Sequence, residues 1–137
     1  MIREICKAEV FLAQKAEAAT ADDLNTAQDL LDTLRAHAGH CVGLAANMIG
    51  EPKAIIAIQA GPAALAMLNP VITKKSARTY QTAEGCLSLP GERPVTRYES
   101  IEVSWRDQQF RKQKQKFQGF TAEIIQHEID HCQGILI

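Results

Sequence analysis

Between residues 20 and 37, apolar side chains recur at three- and four-residue spacing: Leu24, Ala27, Leu31 and Leu34, with Leu30 widening the stripe. That period lines one face of an α-helix, so a helix over residues 20–37 with one buried face is predicted. Thr20 and Asp23 resemble a capping box with Asp in place of Glu, and Asp22 and Asp23 suit the positive end of the helix dipole. Gly39 is a natural stop. Upstream, residues 5–18 carry no clear period, and Phe11 and Leu12 are expected to plug into the core from a loop or short turn. Downstream the pattern changes. Residues 53–58 and 65–68 read as short buried strands, with turns at Gly50-Glu51-Pro52 and Gly61-Pro62. Residues 71–72, 79–80 and 97–105 continue the strand signal. Within the last of these, Ile101, Val103 and Trp105 alternate with Glu102 and Ser104, so one face is buried. Phe110 and Phe117 bracket a polar basic stretch that reads as the next strand, after a turn at Asp107-Gln108. From Thr121, just past Gly119, a last helix runs to about Cys132 and stops near Gly134. Helix, several antiparallel strands and helix make an α+β domain.

Composition adds bounds to this outline. The 137 residues fit a single domain over 1–137, and 46% apolar with 23% charged residues is an ordinary globular balance. A formal net charge of −1 argues against a dedicated nucleic-acid binder. The longest apolar runs are too short to span a bilayer, and no apolar stretch follows the charged start as a signal peptide would require. A cytoplasmic location is therefore expected, and there the four cysteines would stay as thiols.

The last helix carries the chemistry. His127-Glu128-Ile129-Asp130-His131 is an H-E-x-x-H sequence. A spacing of four puts both imidazoles on one face, one turn apart, where both can ligate one divalent ion. Glu128 is then placed to take a proton from water that the ion has made acidic. Only six residues follow His131, so a third ligand is expected from upstream. The candidates are Cys6, His37, His40, Cys41, Glu84 and Cys86. Cys86 stands out because Gly85 beside the thiol lets a ligand or a substrate backbone approach closely.

Glu84-Gly85-Cys86-Leu87-Ser88 and Gln126-His127-Glu128-Ile129-Asp130-His131 resemble the second and third signature motifs of peptide deformylases. The segment from Cys41 to Gly50, C-V-G-L-A-A-N-M-I-G, resembles the first, whose usual form is G-x-G-x-A-A-x-Q. The resemblance implies a deformylase-like α+β fold, with antiparallel sheets around a C-terminal metal-binding helix and one further N-terminal helix. It implies removal of the N-formyl group from the initiator methionine of nascent bacterial proteins. Carried over by motif, Cys86, His127 and His131 would hold one divalent ion, Fe2+ as the usual resident with Zn2+, Ni2+ or Co2+ also accommodated. Glu128 would be the general acid/base, and the Leu87 N–H would donate to the developing oxyanion. Val42, Gly43 and Gly85 would border the peptide, which can lie along this edge as an added strand. Ile124 would line the methionine pocket, and Arg93 matches a family arginine near the substrate. Asp130 is expected to pair with Arg97 and anchor the helix, and Glu84 to orient a ligand or strand. A non-catalytic relative that binds metal or peptide ends is the alternative, against which the retained Glu128 argues.

Two departures stand out. Cys41 replaces the first glycine of the first motif, and Met48 replaces the glutamine whose amide helps to bind the formyl oxygen. Methionine has no N–H to offer. Weak or altered activity is therefore expected, since an extended strand would point the neighbouring Asn47 elsewhere. The second departure is the end at Gly134-Ile135-Leu136-Ile137, without the C-terminal helix by which relatives dock on the ribosome. The alternating Lys112, Lys114 and Lys116 offer a weak phosphate-binding substitute, although lysines on an edge strand more simply guard it.

Overall fold

The computed structural model describes residues 1–137. Its secondary structure begins with one turn of helix, α1 (Glu9–Leu12), which drives Leu12 fully into the core. The amphipathic helix α2 (Leu24–Ala36) follows a 3-10 turn over Ala21–Asp23. The capping box forms as the residue types require: the Asp22 N–H donates to Thr20 Oγ1 at 3.2 Å, and the Thr20 N–H donates to Asp23 Oδ2 at 2.8 Å. The stripe of Ala27, Leu30, Leu31 and Leu34 is buried.

Seven strands follow: β1 (Gly43–Ala45), β2 (Ile55–Ala60), β3 (Ala63–Lys75), β4 (Thr79–Glu84), β5 (Arg93–Tyr98), β6 (Ser100–Arg106) and β7 (Lys112–Gln118). Helix α3 (Gly119–Cys132) closes the fold. All strand pairings are antiparallel, in a five-stranded sheet ordered β1-β2-β3-β6-β7 and a separate β4-β5 hairpin. The core lies where α2 and α3 pack on the β1-β2-β3 end of the large sheet, around Leu44, Ile55, Ile56, Ile58, Met67 and Leu68.

Two strand readings are corrected. Residues 65–68 and 71–72 belong to one long strand, whose register shifts between Leu68 and Val71. Asn69 takes up the shift at φ 52, a conformation asparagine tolerates, and its amide bonds both backbone polar groups of Ala19. Residues 97–105 are two strands rather than one. The chain leaves the small sheet at Tyr98, turns at Glu99 and enters the large sheet at Ser100. Both halves are β-rich in sequence, and the break lies in pairing partners that local composition does not encode.

A third correction concerns the first motif. Residues 46–49 form a 3-10 turn rather than an extended strand. Asn47 therefore faces inward, and its Nδ2 donates to the carbonyl of His131 at 2.9 Å, tying this turn to the far end of α3.

Candidate active site

A cleft of about 490 Å³ opens between the loop and edge strand at 39–43, the end of β4 with the residues after it at 83–87, and one face of α3. The helix supplies Phe120, Glu123, Ile124, His127 and Glu128 to it. These positions follow from α-helical geometry, since 120, 123/124 and 127/128 recur at three- and four-residue steps. Helix α3 begins at Gly119, two residues before the predicted start, and so brings Phe120 to the rim at 63% exposure. Phe120 escaped the sequence reading, although it lies two turns before His127 on the same stripe.

The two histidines converge. His127 Nε2 and His131 Nε2 lie 3.1 Å apart, and with Glu128 they form a buried donor group within 4.8 Å. Two imidazole nitrogens bound tetrahedrally at about 2.0–2.1 Å would stand about 3.3 Å apart, so the pair is set for one small divalent ion. Cys86 is outside that tightest group and lines the same cleft as His127, from the residues that follow β4. Thiolate and two imidazoles form a coherent donor set for Fe2+, Zn2+, Ni2+ or Co2+.

Behind His127 stands a charged support. Its Nδ1 bonds Glu84 Oε1 at 2.7 Å, which frees Nε2 to act as ligand. Glu84 is gripped by Arg97, whose Nη2 reaches Oε1 at 2.6 Å and whose Nε reaches Oε2 at 3.0 Å. Arg97 Nη1 also reaches Asp130 Oδ2 at 2.6 Å. Asp130 thus anchors the helix through Arg97, and Glu84 orients a histidine.

Electrostatics divide the titratable groups. Burial raises the Glu84 carboxyl, but hydrogen bonds from His127 and Arg97 outweigh it and hold the pKa at about 2. Burial also opposes charge on His127, yet its bonds to Cys86 and Glu84 push it up to about 10. His131 is pushed down to about 3 by burial and then by the charge on His127. Glu128 is pushed up to about 7, chiefly by burial. Its Oε1 is buried with no hydrogen-bond partner. Such an orphaned oxygen is costly unless a ligand or water meets it, which fits a group poised beside a metal.

Gly43 is required by space. A Cβ there would stand 2.8 Å from both Glu128 Oε2 and Ile124 Cγ2, so the edge strand rests directly on the Glu128 carboxyl. Gly85 lines the cleft, and a Cβ on it would meet the Gly91 carbonyl at 3.0 Å. Its close contact is thus with the adjacent loop of the chain itself. Val42, Leu87 and Ile124 line the cleft, and the Leu87 N–H enters no hydrogen bond within the chain. Cys41 is also at the wall, with its thiol pushed up to about 11 by burial and then by the charge of Glu128. Two of the remaining expected residues lie outside the lining. Met48 is fully buried, its sulfur accepting the Ala45 N–H at 3.4 Å. Arg93 donates to the Pro90 carbonyl at 3.0 Å, and its Nη1 is buried without a partner.

Known proteins match nearly the whole of this chain. The family model for polypeptide deformylase matches residues 2–137. A peptide deformylase of Clostridium beijerinckii is 55% identical over 137 residues, all of both chains. Among solved structures, a peptide deformylase of Thermotoga maritima superposes with a TM-score of 0.90 at 26% identity, covering 99% of this chain and 95% of that one. A class I type b peptide deformylase of Acinetobacter baumannii, bound to Met-Ala-Ser, does so with a TM-score of 0.88 at 31% identity, covering 99% and 97%. With the H-E-x-x-H helix, the neighbouring thiol and the full-length match in agreement, the chain belongs to the peptide deformylase family, metal-dependent enzymes that remove N-formyl groups.

Proposed function

We propose that this chain hydrolyses the formamide of N-formylmethionyl nascent peptides in the cytoplasm, holding one divalent ion, Fe2+ by family resemblance, on Cys86, His127 and His131. The observation that carries the reading is the facing pair of histidine Nε2 atoms with the buried Glu128 beside them, its Oε1 without a hydrogen-bond partner. A bound divalent ion would supply Lewis acidity to water and to the formyl oxygen. Glu128 takes the proton from the attacking water and returns it to the departing amine as the C–N bond breaks, leaving formate and a free N-terminus. A carboxyl near pKa 7 suits both transfers at neutral pH. The Leu87 N–H donates to the developing oxyanion. Val42 and Gly43 border the extended peptide, Gly85 adjoins it, and Ile124 contacts the methionine side chain. Arg93 acts from beside the cleft through its unpartnered nitrogen. A weak ribosome contact, screened by salt, falls to the exposed Lys112, Lys114 and Lys116 on β7.

Met48 stands where the family carries a glutamine, and it is buried behind the cleft rather than lining it. Its thioether accepts the Ala45 N–H but has no hydrogen to give the formyl oxygen. Loss of one oxyanion donor typically costs about 10²–10³ in rate, so Met48→Gln should accelerate deformylation by a factor approaching that range. Anaerobic formate release from a formyl-Met peptide by the ferrous protein and by the Met48→Gln variant tests both points. Equal rates would remove Met48 from the rate argument, and no release by either would overturn the activity.

A further inference from the structure

His131 lies one residue from the end of α3, in the turn whose carbonyls find no partner within the helix. Those carbonyls are met by the chain that follows and by distant segments. Ile129 and Asp130 accept the Gln133 N–H, and Cys132 accepts the Ala16 N–H at 2.8 Å. The His131 carbonyl accepts the Gly134 N–H at 3.0 Å and also Asn47 Nδ2 at 2.9 Å. Asn47 is 3% exposed and sits in the buried turn at 46–49. That turn is itself fastened, since the Gly50 N–H donates to the Asn47 carbonyl at 3.1 Å and the Cys6 N–H to the Met48 carbonyl at 2.6 Å. It follows directly on β1, whose Gly43 rests against Glu128 and Ile124. One segment therefore braces α3 twice, beneath the acid and at the last histidine.

We propose that Asn47 is a positioning residue for the metal, setting the direction of His131 by gripping its backbone carbonyl. The inference rests on the reading of His131 as a ligand. The two histidines are oriented by different means. The ring of His127 stands in mid-helix and is held through Nδ1 by Glu84 Oε1 at 2.7 Å. His131 Nδ1 is buried with no hydrogen-bond partner in the chain, so no side chain fixes that edge of its ring. The direction of its Nε2 then follows from packing and from its backbone, and that backbone belongs to a terminal turn, the part of a helix that frays. Asn47 supplies the side-chain bond that ties this peptide to the rest of the fold. Productive site geometry tolerates displacements of about 0.5 Å or 10–20°, so slack in the turn passes directly to the ligand atom.

The test is an anaerobic Co2+ titration against a competing chelator, read by the visible absorption of the bound ion, with thermal melts of the same proteins. Asn47→Leu keeps the branched shape of the side chain and removes the donor, while the His131 carbonyl retains Gly134. Asn69→Gly is the comparison. Asn69 also ties distant backbone through its amide, at Ala19, but lies outside the cleft, and glycine accepts its φ of 52. Removing a group that orients a ligand typically weakens metal binding 10- to 100-fold, so Asn47→Leu should lose about tenfold in affinity and shift the absorption bands. Asn69→Gly should melt lower yet bind Co2+ with the affinity and spectrum of the wild type. Wild-type affinity and spectrum in Asn47→Leu would overturn the proposal, and so would an equal loss in Asn69→Gly, which would trace the effect to general loosening. Should Asn47→Leu fail to fold, Asn47→Ala is read in its place; failure of both beside a folded Asn69→Gly would make Asn47 a structural cap alone and overturn the proposal. If the wild-type protein takes up no Co2+, the metal reading itself falls and the proposal goes with it.

Discussion

Glu128 sits beside both histidines and beneath the Gly43 backbone, and burial brings its carboxyl to a pKa near 7. An acid balanced in this way is divided between its two protonation states at neutral pH, which proton shuttling requires. Glu128→Gln keeps size and hydrogen-bonding capacity but cannot accept the proton. It should lower kcat by about 10²–10⁴ while leaving metal content unchanged, as single-turnover formate release and elemental analysis would report. The convergence of His127, Glu128 and His131 was legible in the sequence because an i, i+4 spacing fixes a shared helix face. Asn47 was not legible. Its inward amide depends on a 3-10 turn that the run Ala45-Ala46-Asn47-Met48 does not announce, and on a carbonyl 84 residues away.

At the scale of elements, the site is an edge strand laid on a helix. Strand β1 has three residues and pairs only with β2. Gly43 lets it approach α3 until backbone and carboxyl nearly touch. Gly43→Ala would force a methyl group against Glu128 and Ile124, and overpacking of this kind typically costs about 1–3 kcal/mol. The expected result is a lower melting temperature together with a loss of kcat, because the clash falls on the reactive group; unchanged turnover would contradict the geometry. The helices and most strands could be read from apolar periodicity. The division of residues 97–105 between two sheets could not, since it places Arg97 beside Glu84 in the hairpin and Ile101 in the core, and only partner strands distinguish those fates.

Across the whole molecule, the bond between Arg97 and Glu84 joins the hairpin, and Asp130 joins α3 to the same guanidinium. Glu84 has its pKa lowered from 4.5 to about 2 in the fold, so its contribution to stability is present above about pH 4.5 and lost as pH falls toward 2. Arg97→Met would strand a buried carboxylate, and breaking a buried pair in this way costs about 3–5 kcal/mol near neutrality. The variant should also lose part of the acid dependence between pH 4.5 and 2; thermal melts at fixed metal content across that range would measure both effects. No helix is long and apolar enough to cross a membrane. The outermost position of β1 in the sheet order carries a different consequence. A peptide that joins an open strand edge is gripped by its amides and carbonyls, which every polypeptide presents alike. Such a grip takes little account of the side chains that follow. On the function proposed above, the same short strand that crowds Glu128 would make the enzyme a generalist, able to take many different peptide beginnings into one cleft.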